Sequence, residues 1–343
     1  MTPTRREGSV ARRHPEAGFS LVEVMAAMII LAIAMTAVFA TFTSQQKSFT
    51  TQSRVAEMQQ NLRQAVEYVS RDIRLAGYGI PGNVTIPNNI IAAGVTSIRS
   101  LYAKDNTAGP DQIYILYMFD MDANQPPTTD NAAGVPANAA SITVPGGAGF
   151  LATGEELVLI TDGATADLYE TSAAAGTILT FGGGYSYNSG HSKTYPAGSS
   201  PPVTVAKARF ARYYIENNIL MVDRMGGATP QPLADDIEDM QIQYIMDTDG
   251  DGFAETGTGF RLPFDPSNIV NDPSTGVSAV TGVALNPSQI RQVRLLFIAR
   301  TRLPEAGWAE TRPALGNRAA GATPDGYRRR TYDIVIDVRN SGV

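Results

Sequence analysis

The chain has 343 residues, 43% hydrophobic and 17% charged, with a formal net charge of −6. An acidic chain of this length argues against nucleic-acid binding as its main task, and it is long enough to bury a sizeable core. It holds no cysteine, which excludes a disulfide framework and any thiolate metal site.

In chain order, the first 18 residues form a short leader-like segment in which Arg5, Arg6, Arg12 and Arg13 outweigh Glu7 and Glu16. Without it the side chains carry 23 basic against 31 acidic groups, four and two fewer than the 27 and 33 of the whole chain. A nearly unbroken apolar run follows from Phe19 to Ala40. As a helix it spans roughly 33 Å, enough for a hydrocarbon core of about 30 Å. Glu23 stands near its start. An acid inside such a run costs on the order of 2–3 kcal/mol at mid-membrane and needs a partner.

Cutting the chain between Gly18 and Phe19 would create one. The new α-amine of Phe19 is positive, and Glu23 sits four residues on, on the same helix face. An ordinary secretory signal is cut after its apolar stretch, whereas this cut would leave the membrane anchor attached. The leader arginines keep the N-terminus cytoplasmic and place the remainder outside. An uncleaved single-span anchor is the alternative. There Glu23 is simply favoured in the first helical turn by the macrodipole, which explains Glu23 but not Gly18, Phe19 and the basic leader together.

From Val55 the apolar positions Val55, Met58, Leu62, Ala65, Val66, Val69, Ile73 and Ala76 recur by threes and fours, predicting an amphipathic helix. No Pro or Gly interrupts Phe19 through Ala76, and Gly77 supplies a C-cap before Pro81. The whole helix would be about 58 residues and roughly 87 Å long. Residues 77–343 read as strands and loops. Strands are expected at Ile113–Tyr117, Glu156–Thr161 and Val293–Ala299. Tyr213–Glu216 and Ile219–Val222 make a hairpin about Asn217-Asn218, because Asn tolerates the positive φ of tight turns. Met240, Ile242 and Tyr244 alternate with Gln241 and Gln243, and Tyr332, Ile334, Ile336 and Val338 alternate with Asp333 and Asp337. Loops are expected over 122–148, 182–202 and 263–289.

The basic leader ending in Gly18, followed by Phe19 and then Glu23, resembles the class III signal of type IV prepilins. The order of the later features is similar to that of the PilW family of large minor pilins. These are Arg71-Asp72-Ile73-Arg74-Leu75-Ala76-Gly77-Tyr78, then Gly154 to Ile160, then Ile237 to Tyr244 running into Asp247, and finally Tyr327-Arg328-Arg329-Arg330 before the last strand. The resemblance implies an α+β type IV pilin fold: a long N-terminal α-helix, transmembrane and then amphipathic, packed on an elaborated antiparallel β-sheet head. The expected divisions are a leader over 1–18, a spine helix over 19–76 with its transmembrane segment at 19–40, and a β-rich head over 77–343 with room for two lobes.

The same resemblance implies a non-enzymatic, low-copy minor pilin that helps to start pilus assembly near the tip and serves twitching motility and adhesion. A prepilin peptidase would remove the leader and N-methylate Phe19, and Glu23 would pair with the amine of a neighbouring subunit. Other minor and major pilins, the membrane and the inner-membrane assembly platform are the implied partners, with no nucleic acid. The chain would cross the inner membrane once with its head in the periplasm, then reach the pilus at the cell surface. Ala40 departs from the proline that many major pilins carry near the end of the apolar run, and the head is much larger than theirs. A type II secretion pseudopilin and a membrane-anchored adhesin or binding module that never polymerises are the alternatives.

No cofactor is required by any of these readings, but calcium is a candidate. Asp247, Asp249, Asp251 and Gly252 match the first half of a calcium loop, with Glu255 at the position often served through water. Thr258 stands where the bidentate Glu of an EF-hand belongs, so a solvated acidic turn competes with a weak site of about 0.1–1 mM affinity. Asp120, Asp122 and Asn124 share the spacing, but Gln125 replaces the glycine, which favours a turn. His191 is the single histidine beyond the leader and reads as an incidental polar residue in a Gly/Ser/Tyr-rich loop. Neither a Gly-x-Ser-x-Gly elbow nor a His-Glu-x-x-His motif occurs. Arg328-Arg329-Arg330 reads as a solvated stretch.

Overall fold

The computed structural model describes residues 20–80, 84–86, 90–91, 97–98, 100–119, 134–144, 156–182, 186–200, 202–224, 226, 229–247, 269–270 and 290–339. The chain divides into two compact units, residues 1–53 and 54–343.

Helix α1 covers Leu21–Leu75. Ser20 heads it: the Ser20 carbonyl accepts the N–H groups of Glu23 and Val24 at 3.0 and 3.2 Å. Gly77, at φ +77°, ends it as a left-handed cap that a side chain would strain, and its N–H donates to the Leu116 carbonyl at 2.9 Å. In the first unit every helical residue from Leu21 to Thr50 is exposed. In the second unit Met58, Leu62, Ala65, Val66, Val69 and Ile73 are buried, the stripe that the three-and-four spacing predicts. Each larger member of that stripe contributes about 1.5–3 kcal/mol by leaving water.

Among the described residues fifteen strands follow, in two sheets. The larger contains β1 (Val84–Thr85), β2 (Ser97–Ile98), β3 (Leu101–Lys104), β4 (Gln112–Met118), β5 (Ser141–Thr143), β6 (Glu156–Thr161), β7 (Ala166–Ala175), β8 (Ile178–Phe181), β9 (Thr204–Glu216), β10 (Ile219–Arg224) and β11 (Gln231–Ala234). Its main path runs β11-β10-β9-β6-β7-β1-β2; β4 also joins β9 and carries β3, and β8 joins β7 and carries β5. The pairing is antiparallel except between β1 and β7. The smaller sheet holds β12 (Ile237–Met246), β13 (Ile269–Val270), β14 (Ile290–Arg300) and β15 (Arg329–Asp337) in the order β13-β12-β14-β15.

Strand β4 is buried on both sides, as its unbroken apolar run predicts. Ile113, Ile115 and Tyr117 face the core that holds the helix stripe, and Tyr114, Leu116 and Met118 face a second core with Leu157, Leu159 and Phe210. The β9–β10 hairpin turns on Asn217 and Asn218 at φ +52° and +61°, with Glu216 opposite Ile219. Just after the helix, Gly79 has φ +72°, and a Cβ there would lie 2.8 Å from Met118 Sδ. Gly79→Ala is expected to cost about 1–3 kcal/mol in chemical denaturation; an unchanged midpoint would show that Met118 moves aside freely.

Gln241 and Gln243, the polar members of the β12 alternation, are both buried: the connection 301–328 folds over Gln241, with Leu315 against Leu296 and Ile298, and Arg294 donates to Gln243. One expectation needs correction: the arginines at the start of β15 are not a solvated stretch. Arg329 is 5% exposed and pairs with Glu238 and Asp325, while Arg328 pairs with Glu305 at 2.6 Å and stacks on Trp308 at 3.7 Å. Arg330 alone of the three is exposed. The expected loops also contain regular structure: β5 lies within 122–148 and β13 within 263–289.

Candidate functional site

The start of α1 is the first candidate. Gly18 and Phe19 lie outside the described residues. Glu23 is the one charged residue between Leu21 and Gln46, and its Oε2 accepts the Ser20 N–H at 3.4 Å. Ser20 and Glu23 thus make half of a capping box, with the acid reaching back over the positive end of the helix dipole. Around and beyond them Leu21, Met28, Ile30, Ile33 and Phe39 stand more than half exposed. Thr36, Thr41 and Thr43 spend their hydroxyls on the carbonyls of Ala32, Ala37 and Phe39. The surface left is apolar on every side, and by length and composition this helix can cross a membrane.

The second candidate is the acidic loop after β12. Asp249, Asp251 and Glu255 lie outside the described residues. Asp247 is buried, and its Oδ2 accepts Arg291 Nη2 at 2.7 Å and Nε at 3.2 Å, tying the end of β12 to the start of β14. Among the described residues, no group of three His, Asp or Glu side chains could hold a metal ion.

A polar seam lies where the β3–β4 turn meets β12 and the connection 301–328. Asp111 takes the place of a pairing strand: its N–H donates to the Met240 carbonyl at 2.8 Å and its Oδ2 accepts the Ile242 N–H at 2.9 Å. Asp239, fully buried, holds Arg318 at 2.8 Å and Arg312 at 3.2 Å, and Asn317 donates to Asp105 at 2.7 Å. Burial pushes Asp111 up to about 7, against the pull of the Ile242 and Asn106 N–H groups. The folded chain therefore keeps a proton that the unfolded chain releases near 3.8. The stability this confers is complete below pH 3.8 and is lost as pH rises through about 7. Asp111→Asn is expected to flatten that part of the stability profile in denaturant titrations; an unaltered slope would assign it to other groups.

His191 is not incidental. It is 3% exposed and stacks on Tyr169 with ring centres 4.1 Å apart. Its surroundings are assembled by the segment 186–200, which runs along β7. Asn188 takes both backbone groups of Glu170 there, at 2.7 and 2.8 Å, and Tyr195 pairs with Val135 and donates its hydroxyl to Asp167 and the Ile160 carbonyl. Burial, then the Asp167 charge, pushes the Tyr169 phenol up to about 12. A single histidine offered no spacing pattern by which the sequence could show this.

Comparison with known proteins agrees with the helix and with the small sheet. Residues 13–39 match the family model described as "Prokaryotic N-terminal methylation motif", and residues 212–340 match "Type IV Pilus-assembly protein W". A structure of a type IV-like pilin from Thermus thermophilus aligns with 10% identity over 83% of this chain and 96% of that one, at a TM-score of 0.36. No curated protein matches the chain. A long apolar N-terminal helix carrying the methylation motif, with antiparallel sheets packed on its later turns, is similar to the arrangement expected of a type IV pilin. The second match covers β10, the whole small sheet and the arginine-pinned connection, less than half of the chain, and together the two matches support a PilW-like type IV pilin.

Proposed function

We propose that the chain is a minor pilin that helps to start assembly of a type IV pilus and sits near its tip. The observation that carries this reading is the helix surface from Leu21 to Phe42, predominantly apolar and wholly exposed, with a single acid in its first turn. Such a surface needs lipid before assembly and other helices after it. Glu23 is the feature that gives the exchange a defined axial position, because a buried carboxylate costs several kcal/mol unless an opposite charge meets it. The prepilin peptidase, acting between Gly18 and Phe19, supplies the amine that would do so. The other pilins and the inner-membrane assembly platform are then its partners.

Mass spectrometry of the mature N-terminal peptide tests the processing, and N-methylated Phe19 is expected. Co-purification with sheared pili, together with loss of twitching on deletion, tests the role. A chain that stays in the membrane fraction while pili form normally would overturn it, and loss of protein secretion with intact twitching would point to a pseudopilin.

A further inference from the structure

We propose that the outer edge of β15 is a docking edge, which takes an extended segment of another protein as one more antiparallel strand of the small sheet. Among the described residues the other strands that end a sheet are short. β2 and β13 have two residues, β5 has three, and β3 and β11 have four. β11 is blunted further by Pro232 and by Gln64, whose side chain donates to the Leu233 carbonyl at 3.0 Å. β15 has nine residues, several of them β-branched, and contains no Pro, Gly or Lys. β14 pairs with one side of it, and among the described residues no strand pairs with the other.

The ladder fixes which way each backbone group points. The Val338 N–H donates to the Arg291 carbonyl at 2.8 Å, and at the other end the Arg328 carbonyl accepts the Thr301 N–H at 2.9 Å. In an antiparallel pair, residues that bond to the neighbour alternate with residues whose N–H and C=O point away from it. The register between β14 and β15 runs without a break. The even-numbered residues therefore bond to β14, while Thr331, Asp333, Val335 and Asp337, all exposed, aim both backbone groups outward. Arg329 belongs to the outward set, and its N–H donates to Glu310 Oε2 at 3.3 Å. A carboxylate oxygen thus stands where the first carbonyl of an added strand would lie, and the outward positions after it await one.

The side chains define what such a segment carries. On the face toward α1, Ile336 and Val338 are buried, Ile334 is half-buried and Tyr332 is 38% exposed. The core under the helix stripe thus runs out to this edge, and apolar side chains opposite Tyr332 and Ile334 would continue it. Arg330 stands exposed at the start of β15 and Asp337 exposed at its end, while Asp333 is held by Arg294 at 2.9 Å. An antiparallel segment meets Asp337 first and Arg330 last, so charge complementarity asks for a base at its start and an acid at its end. A second copy of this chain does not fit. Antiparallel pairing of β15 with itself needs a two-fold axis normal to the sheet, which would run the turns of α1 packed on that sheet in opposite directions. Chains whose helices enter one membrane from the same side cannot meet in that way. Docking at β15 uses none of the helix surface that assembly would bury.

The test uses the full chain in detergent micelles and the end-blocked peptide Lys-Thr-Val-Ile-Thr-Val-Thr-Glu, written to place its Lys opposite Asp337 and its Glu opposite Arg330. Fluorescence anisotropy is expected to give a Kd below about 1 mM, and a scrambled peptide of the same composition is expected to bind at least about tenfold more weakly. Methylating the peptide nitrogen of the Val opposite Val335 removes a bond between the strands, and should weaken binding at least about tenfold. The same change at the Ile opposite Ile334, whose N–H points away, should leave binding unaltered. Val335→Pro deletes an outward N–H and spares the ladder with β14, and it should weaken the unmodified peptide as much as the first methylation does. Absence of binding at about 1 mM, or equal losses from the two methylations, would overturn the proposal. Binding that survives Val335→Pro would place the peptide elsewhere, and self-association abolished by that variant would give the edge to a second copy; either result also overturns it.

Discussion

Glu23→Ala is expected to leave leader removal intact and to lower the amount of chain in sheared fibres at least about tenfold, which corresponds to about 1.4 kcal/mol of lost preference for the docked position. Cleavage depends on the residues at the scissile bond, Gly18 and Phe19, not on a side chain one helical turn later. Assembly differs, because the helix surface around Glu23 is apolar on every side and gives no register of its own. Among the described residues the carboxylate finds only the 3.4 Å contact with the Ser20 N–H, too long to compensate a charge in lipid. On the proposed reading a neighbour's amine would complete the neutralisation at one axial offset and leave two unpaired buried charges at every other. Glu23→Gln separates capping from charge. Glutamine keeps the reach back to Ser20 but has no charge, so it is expected to enter fibres as poorly as alanine. Fibres rich in the Gln variant would show that the cap, not the ion pair, is what assembly uses. Immunoblots of fibre and membrane fractions, with mass spectrometry of the N-terminal peptide, read both outcomes.

The parts of the fold legible from the sequence were those with a strong period or a strained turn. The helix stripe from Met58 to Ile73, the hairpin at Asn217-Asn218 and β6 at Glu156–Thr161 follow directly from spacing and turn chemistry. What stayed hidden depends on which distant segment covers which face. Gln241 and Gln243 are the polar members of the β12 alternation, yet Arg312 and Arg318 bring the connection 301–328 down over Gln241 by closing on Asp239, far from them in the chain. Arg329 reads as one of three equal arginines, but only its side chain meets Glu238 and Asp325 together. Strands β5 and β7 carry too many Ala, Ser and Thr residues to show an apolar alternation and β8 is only four residues long; their pairing with one another supplies the order instead. The candidate site divides likewise: Glu23 is visible because an acid in an apolar run is conspicuous, whereas the environment of His191 exists only after β7 and the segment 186–200 meet.

Tyr213→Phe is expected to destabilise the head by about 2–4 kcal/mol, more than Asp72→Ala, although the alanine variant removes the larger polar group. Asp72 lies on the buried side of α1, 3% exposed, and its Oδ2 accepts the Tyr213 hydroxyl at 2.6 Å. Arg71 approaches its other oxygen at 3.5 Å, but that arginine is 60% exposed and solvent weakens the pair. Burial, then the Asp72 charge, pushes the Tyr213 phenol far above its ordinary range, so the tyrosine stays a donor. Deleting the hydroxyl therefore leaves a carboxylate buried with the Tyr117 phenol and a half-solvated arginine as its remaining help. Deleting the carboxylate leaves a neutral hydroxyl unpaired, a penalty of about 1–3 kcal/mol. Asp72→Ala combined with Tyr213→Phe removes both, and its cost should fall below the sum of the single changes by about 1–3 kcal/mol in a double-mutant cycle followed by denaturant unfolding. Additive costs would mean that the two groups act separately, and the helix would then be held on the head by its apolar stripe and the Asn61 and Gln64 hydrogen bonds. Coupling of the expected size would make Asp72 the residue that fixes the rotational setting of α1 within the head, since the stripe from Met58 to Ile73 tolerates small rotations and a 2.6 Å hydrogen bond does not.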